Sequence, residues 1–169
     1  MLQVVILGTG NIAQHLFNAF VKEPKINILQ VVGRNTKALE YFKDNSETQT
    51  NFKEIKNADL YIIAVSDTAI EEVASFLKNK KGAITHTTGS IPMNVLNEHQ
   101  NYGVFYPLQT FTKNQLVDFK AVPMCIEASD KETYNLLEKI AKNISEKVFN
   151  VNSKQRKKLH LAAVFINNF

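Results

Sequence analysis

Short apolar segments alternate with longer segments of helical periodicity along most of this chain. Several of the apolar segments are almost continuous, which is typical of parallel strands that are covered on both faces. They predict strands at 3–7, 28–32, 59–65, 83–87, 102–106, 121–127 and 147–151, the last of them at a sheet edge. The patterns between them predict helices at 12–21, 36–44, 68–78 and 130–144, a short helix beginning near residue 90, and a polar loop at 45–51. This alternation predicts an α/β fold with a doubly wound, mostly parallel sheet.

The last segment, 154–169, has a different pattern. From residue 159 onwards it is apolar on nearly every face of a helix. A helix of this kind must be buried on most sides, and one doubly wound sheet does not cover it. We therefore divide the chain into a sheet domain at 1–152 and, at 153–169, the first helix of a largely absent α-helical domain. We expect this helix to pack against a second subunit, as in a homodimer, or against the sheet domain.

A glycine-rich turn follows the first predicted strand. Residues 8–13 read GTGNIA, a G-x-G-x-x-A sequence that lies between a strand and a helix. Gly8 permits a tight turn, Gly10 lets the backbone approach a pyrophosphate, and the small Ala13 lets the helix pack closely on the strand. The free N–H groups and the dipole of the helix start then hold phosphates. Glycines also occur in ordinary strand-to-helix turns, but this position favours dinucleotide binding.

The end of the second predicted strand bears on the choice of dinucleotide. An NAD site usually carries Asp or Glu about 20 residues beyond the glycines, where it binds the ribose hydroxyls. Here the sequence is Gly33-Arg34-Asn35, without a carboxylate. A guanidinium at this point binds a 2′-phosphate through paired hydrogen bonds, so the sequence favours NADP over NAD. The alternative for Arg34 is a solvated surface charge, and Asn35 can cap the following helix.

Composition excludes several classes of protein. The 169 residues are 44% hydrophobic and carry a net charge of +4, spread over predicted helix faces, so we expect no nucleic-acid partner. The cluster Lys154, Arg156, Lys157 and Lys158 is interpreted as a solvated helix start, with contact to a phosphate as the alternative. Cys125 is the single cysteine and lies in an apolar strand pattern, which predicts a buried, inert thiol and no disulfide or thiolate metal site. No apolar run approaches a membrane span, and we expect a cytoplasmic protein that binds neither membrane nor metal.

Several segments in this order resemble a known family. They are the turn at 8–13, Gly33-Arg34-Asn35, Ala64-Val65-Ser66-Asp67, the run 86–90 (HTTGS), the run 106–111 (YPLQTF) and the helix start 159–163 (LHLAA). Together they resemble the Rossmann-like, deazaflavin-dependent NADP oxidoreductases that carry a helical C-terminal domain of unknown function. That family belongs to the clan of pyrroline-5-carboxylate reductase and 6-phosphogluconate dehydrogenase. The resemblance covers essentially the whole chain, with the helical domain represented by its first helix.

The resemblance implies an NADP site and a two-domain active site. Residues matched by position would hold the pyrophosphate (Gly8, Thr9, Gly10, Asn11 and Ile12) and the 2′-phosphate (Gly33, Arg34 and Asn35). Val65, Ser66 and Asp67 would border the nicotinamide, and Thr88, Gly89 and Ser90 would lie at the next strand end. Two positions depart from the family pattern. Tyr106 precedes Pro107 where relatives often have His, and His160 lies in the helix where clan members place a catalytic lysine.

Hydride transfer usually needs a group that donates or accepts a proton. His160 is the first candidate, because it shares a helix face with Val164 and with Asn167 or Asn168. The alternative is a histidine capped by water or packed between domains. Ser90 is a candidate hydrogen-bond donor to substrate, although Ser66 and Ser90 are also typical helix caps. His86 at a strand end is more typical of a core histidine. The predicted catalytic residues are therefore His160, Asn168 and Ser90.

These features together predict an NADP-dependent oxidoreductase that transfers a hydride to or from a small carbonyl or imine substrate. A second hypothesis is a regulatory or interaction module that binds NADP without turnover, which the absent clan lysine favours. A methyltransferase also uses a glycine turn after its first strand, but it usually has an acidic residue where Arg34 lies. The substrate is not identified by the sequence, nor is the use of a deazaflavin as a second hydride carrier.

Overall fold

The structure, a computed structural model, describes the backbone of residues 1–168 and the side chains of residues 1–167. Its strands are β1 (Leu2–Leu7), β2 (Ile26–Val32), β3 (Glu47–Gln49), β4 (Leu60–Ile63), β5 (Ala83–His86), β6 (Tyr102–Pro107), β7 (Met124–Ala128) and β8 (Val148–Asn150). Its α-helices are α1 (Asn11–Val21), α2 (Thr36–Leu39), α3 (Ile70–Ser75), α4 (Lys131–Ile144) and α5 (Ser153–Asn168). Short 3₁₀ helices lie at Phe52–Glu54, Asp67–Ala69, Met93–Leu96 and Phe119–Ala121.

The strands of the described chain form one sheet in the order β3-β2-β1-β4-β5-β6-β7-β8. The chain moves outward from β1 to β3, and then crosses to the other side of β1 at β4. The carboxyl ends of β1 and β4 therefore flank the switch point where ligands of open α/β sheets bind. All neighbours are parallel except β6 and β7. A parallel neighbour needs a crossover connection, and the segment between β6 and β7 contains a single 3₁₀ turn instead of a helix. The doubly wound, mostly parallel fold is confirmed.

Both faces of the sheet are covered by apolar side chains. Val4 and Ile6 of β1 pack in a cluster with α1 and α4, whereas Val5 and Leu7 pack in a second cluster with α3. Successive strand residues point to opposite faces, so continuous apolar runs fill two layers at once. Burial of this kind stabilises the fold by about 1.5–3 kcal/mol for each large side chain. The result is a rigid platform for the loops at the carboxyl ends of the strands.

The edge strand β3 lies within the segment that the sequence predicts as a polar loop, so that prediction is wrong. Glu47 pairs with Gln30, and Gln49 with Val32, in parallel register. Strand pairing here depends on backbone hydrogen bonds, and an edge strand of three residues has no need of an apolar pattern. The opposite edge is β8, as predicted for residues 147–151.

Two helices are shorter than their patterns predict. After Leu39 the chain continues in turns with hydrogen bonds of i→i+3 type, such as Phe42 N–H to Leu39 O, and these bring the buried Phe42 edge-on to Phe17. The segment predicted as a helix at 68–78 is a 3₁₀ turn followed by α3, which ends at Ser75. Thr68 lies inside the 3₁₀ turn, and no side chain caps either element.

Helix α5 buries Arg156 in its first turn and is mostly exposed beyond it. Arg156 is 1% exposed, whereas Leu161 is 58% and Ile166 73% exposed. The prediction that the basic cluster is a solvated helix start is therefore wrong at Arg156. Burial of the apolar residues against the sheet domain is also wrong, and their burial against a second subunit stays a prediction.

Within the part of the chain that the structure describes, no helix is long and apolar enough to cross a membrane. Those same residues contain no group of three or more His, Cys, Asp or Glu side chains that could hold a metal ion. Cys125 is buried, as predicted, and burial raises the pKa of its thiol.

Candidate functional site

The glycine turn joins β1 to α1 directly at the switch point. Gly8 has a φ of +126°, and a Cβ there would lie 2.0 Å from the carbonyl oxygen of Ala64, so that no other residue fits without moving β4. Gly10 has an ordinary φ of −77°, and a Cβ on it would have no atom within 4 Å. Gly8 is thus required by the fold, whereas the space in front of Gly10 belongs to a cleft.

This cleft, of about 440 Å³, lies outside the carboxyl ends of β1, β2 and β4. Its lining includes every predicted cofactor-binding residue except Asp67. The lining residues are Gly8, Thr9, Gly10, Asn11, Ile12, Gly33, Arg34, Asn35, Phe52, Ala64, Val65, Ser66, Ala69, Val73 and Thr87. The size and shape suit part of a dinucleotide, because binding clefts span about 300–1,000 Å³. The sequence-predicted residues are therefore brought together.

The start of α1 provides the phosphate end of the cleft. No side chain caps this helix at Gly10, so the first backbone N–H groups remain available as donors. The side chain of Asn11 is engaged elsewhere, since its Nδ2 donates to the carbonyl oxygen of Phe111 at 3.3 Å. The ring of His15 stacks on Phe111 with centroids 4.6 Å apart. The segment after β6 thus folds over the beginning of α1, and Asn11 can offer its backbone rather than its amide to a phosphate.

Arg34 marks the other end of the cleft. Its guanidinium pairs with the carboxylate of Glu72 and lies 5.8 Å from the ring centroid of Phe52. Both charged side chains are more than half exposed, so the pair itself contributes little to stability. Asn35 caps α2, with its Oδ1 accepting from the backbone N–H of Ala38 at 3.0 Å, as predicted. Sequence reasoning missed Phe52 and Glu72, because neither belongs to a local motif.

A second group of polar side chains lies after β5. Ser90 Oγ donates to Asp67 Oδ2 at 2.7 Å and is 3.2 Å from Thr88 Oγ1. Asp67 therefore binds a side chain that the sequence assigned to the substrate region. Ser66 precedes the 3₁₀ turn at Asp67–Ala69, but its side chain makes no capping hydrogen bond to that turn. The structure joins the ends of β4 and β5 through this hydroxyl–carboxylate contact.

His86 is a core histidine, as its position favoured. It is fully buried, Thr88 N–H donates to its Nδ1 at 3.2 Å, and its Nε2 is 3.4 Å from the carbonyl oxygen of Pro92. Since Nδ1 accepts, the neutral ring carries its proton on Nε2. Burial, aided by the charge of Arg156, lowers the pKa of His86 to about 4. The ring is neutral at pH 7 and shapes the loop that leads to Ser90.

Arg156 connects α5 to this loop. Its guanidinium donates to the carbonyl oxygens of Thr88 at 3.1 Å and Ile91 at 2.6 Å, and it pairs with the carboxylate of Glu127 at 2.5 Å. A buried guanidinium of this kind is tolerated because all its neighbours accept hydrogen bonds. The buried role of Arg156 could not be predicted from the basic cluster at 154–158, because no signal in the sequence distinguishes this inward-facing cation from its solvated neighbours.

His160 lies one turn farther along α5. Its Nδ1 is 2.9 Å from the hydroxyl of Tyr106, and a Cβ on Gly89 would lie 2.5 Å from the imidazole. His160 therefore packs on the residue that precedes Ser90, and these two predicted catalytic residues belong to one region. The side chain of Asn167, which the sequence placed on the same helix face as His160, donates to Thr110 Oγ1 at 2.7 Å. The side chain of Asn168 lies outside the described residues.

Comparison with known proteins gives matches to two family models. Residues 3–85 match a family described as "NADP oxidoreductase coenzyme F420-dependent", and residues 122–169 match a domain of unknown function. No curated protein matches the chain.

Several solved structures have the same fold. A "putative NADP oxidoreductase" from Bacteroides fragilis is 40% identical with a TM-score of 0.93, and the match covers 99% of this chain and 67% of that one. A protein from Thermotoga maritima is 22% identical with a TM-score of 0.74, covering 98% and 64%. A pyrroline-5-carboxylate reductase from Coxiella burnetii is 18% identical with a TM-score of 0.74, covering 98% and 67%. The last two show the fold alone, and this chain spans about two thirds of the length of all three.

The Bacteroides fragilis match shows the family. The chain belongs to the Rossmann-fold NADP oxidoreductase family that this protein represents.

Proposed function

We propose that this member of the NADP oxidoreductase family binds NADP(H) and transfers a hydride to or from a small carbonyl or imine compound. The observation that carries the proposal is the cleft at the switch point, where the glycine turn and Arg34 occupy opposite ends of one binding surface. A helix start without a side-chain cap and an exposed guanidinium are the two groups that a phosphorylated dinucleotide needs. The family description supports the chemistry, and the substrate class is our inference.

The preference for NADP(H) rests on Arg34. No carboxylate follows β2, whereas a carboxylate at that point would repel a 2′-phosphate. Glu72 reaches Arg34 from α3, so a bound 2′-phosphate would compete with Glu72 for the guanidinium. Phosphate carries the larger charge and accepts the paired hydrogen bonds that a guanidinium favours.

The proton donor that accompanies hydride transfer is assigned to His160, with Ser90 as a hydrogen-bond donor to substrate. Both lie near the carboxyl ends of β5 and β6, on the same end of the sheet as the cleft. The Asp67 carboxylate orients the hydroxyl of Ser90. These roles follow the general requirement for an acid positioned beside the oxygen or nitrogen that is protonated.

The test is incubation of the chain with NADPH and a panel of carbonyl and imine compounds, with loss of NADPH absorbance as the signal. We expect binding of NADPH and turnover of at least one class. Binding without turnover by a full-length relative would favour the second hypothesis, a silent NADP module. Because the family description names coenzyme F420, a deazaflavin, reduced F420 with NADP is the second reaction to measure.

We also propose a division into a nucleotide domain at 1–152 and a helical segment at 153–169 that contacts a second copy. The support is the exposed apolar surface of Leu161, Val164 and Ile166. Exposure of this kind typically marks a contact surface. Sedimentation at micromolar concentration should report a dimer for the chain and a shift toward monomer for Leu161→Lys.

A further inference from the structure

The hydroxyl of Tyr106 and the imidazole of His160 form a hydrogen bond between the end of β6 and the middle of α5. The oxygen is 2.9 Å from Nδ1, and the two rings meet edge to face with centroids 5.9 Å apart. These residues are 54 positions apart in the sequence, so that no local motif relates them. The contact involves Nδ1 of His160, the residue predicted to donate a proton, and leaves Nε2 available for another partner.

The direction of this hydrogen bond follows from the burial of Tyr106. The residue is 6% exposed, and burial raises the pKa of its phenol to about 12, so it keeps its proton at neutral pH. Among the described residues, Nδ1 of His160 is its hydrogen-bond partner. A buried O–H without an acceptor costs about 1–3 kcal/mol, and the phenol therefore donates to Nδ1.

The imidazole is also held from a second side. The Cβ, Cγ and Nδ1 atoms of His160 all lie within 2.6 Å of the point where a Cβ on Gly89 would be. The ring thus rests on backbone after β5, while Tyr106 bonds its Nδ1 edge. No other described group bonds the ring, so Nε2 has no protein partner among the described residues.

A neutral imidazole whose Nδ1 accepts a hydrogen bond must carry its proton on Nε2. We propose that Tyr106 is a positioning residue that fixes His160 as the Nε2–H tautomer, so that α5 presents an N–H hydrogen-bond donor to the carbonyl oxygen or imine nitrogen of the substrate. The substrate part rests on the proposed function. The tautomer itself is a property of the chain alone.

The tautomer is measured by long-range ¹H–¹⁵N NMR of the imidazole rings in the intact, cofactor-free chain at pH 8. The chain has four histidines, and His160→Gln assigns the signals of His160 by their disappearance. We expect Nδ1 of His160 to resonate as an unprotonated, hydrogen-bonded nitrogen and Nε2 as a protonated one. A protonated Nδ1 in the unmutated chain would overturn the proposal without any variant being needed.

Tyr106→Phe then removes the hydroxyl and retains the ring. We expect the two ¹⁵N shifts of His160 to move toward each other, as in a ring that exchanges between tautomers. Tyr102→Phe is the matched control, because Tyr102 lies on the same face of the same strand and its hydroxyl bonds no histidine among the described residues. Unchanged His160 shifts in folded Tyr106→Phe would contradict the proposal.

A kinetic arm separates this inference from the proposed function. With a turned-over substrate, Tyr106→Phe should lower kcat about tenfold and change KM little, since one neutral hydrogen bond to the donor is lost. An Nε2–H tautomer that depends on Tyr106, in a chain that turns over no carbonyl or imine compound, would support the role of Tyr106 and contradict the proposed function instead.

Discussion

The two ends of the candidate site are built in different ways. At the cleft, most of the lining residues come from short motifs that directly follow β1, β2 and β4. At α5, the contacts join groups more than 50 positions apart, such as the side chains of Tyr106 and His160, or the Arg156 guanidinium and the carbonyl oxygen of Thr88. The first end is encoded locally, and the second depends on tertiary structure.

This difference decides how each end should respond to substitution. In the cleft, a single side chain can block a ligand while the fold is retained, because the core lies behind the turn. At α5, the same side chains that present His160 also attach the helix to the sheet. Substitutions there should therefore change stability and geometry together.

The largest effect is expected for Arg156→Met. The change leaves the carboxylate of Glu127, whose side chain is 15% exposed, without its cation and frees two carbonyl oxygens. Breaking a buried pair by removing one partner costs about 3–5 kcal/mol. Urea unfolding should show this loss, while Lys157→Met, on the exposed side of the same turn, should change the free energy of unfolding by less than about 0.5 kcal/mol. Equal stabilities of the two variants would show that the ion pair does not anchor α5.

A pH effect of similar origin is expected from His86. Its folded pKa of about 4 lies below the unfolded value of 6.5, so the unfolded chain binds the proton first as the pH falls. The stabilisation is complete above pH 6.5 and is lost toward pH 4, where the loss approaches about 3 kcal/mol. The difference in unfolding free energy between the unmutated chain and His86→Gln should therefore narrow across this interval. His15→Gln, at a partly exposed histidine, is the control. If the unfolding free energies of the unmutated chain and His86→Gln change with pH in parallel, the effect is ruled out.

How much the sequence predicts follows the same division. The order of most elements, the switch point and much of the lining of the cleft could be predicted, because periodicity and the glycine turn are local signals. Phe52, Glu72 and Arg156 could not, since each acquires its role from a partner on another element. Even β3 escaped prediction because its pairing uses backbone groups, which leave no trace in side-chain patterns.

Gly10→Val tests the claim that the cleft can be blocked without loss of the fold. The backbone at Gly10 suits a branched residue, and its Cβ would enter open space in front of the turn. We expect NADPH affinity to fall at least about a hundredfold, because the side chain occupies the place of the pyrophosphate. Thermal unfolding should be nearly unchanged, and Gly10→Ala should give a smaller loss. Full-strength binding by calorimetry would place the phosphates elsewhere.

The smallest of these effects, and the one that defines the cofactor, is expected for Arg34→Ala. The side chain is exposed and its partner Glu72 is equally exposed, so stability should change little. Loss of a charge-assisted contact to the 2′-phosphate costs about 1.5–3 kcal/mol, which is roughly ten- to a hundredfold in affinity for NADP(H). The affinity for NAD(H), which lacks that phosphate, should change much less. The informative quantity is therefore the dissociation constant of NAD(H) divided by that of NADP(H), which Arg34→Ala should lower. Lys37→Ala removes the same charge from α2, at a residue that does not line the cleft, and controls for long-range electrostatics. If both cofactors bind the unmutated chain equally, or if Lys37→Ala lowers the ratio as much as Arg34→Ala does, the preference does not come from a contact at the end of β2. The locally encoded end of the site would then bind a dinucleotide without distinguishing NADP(H) from NAD(H).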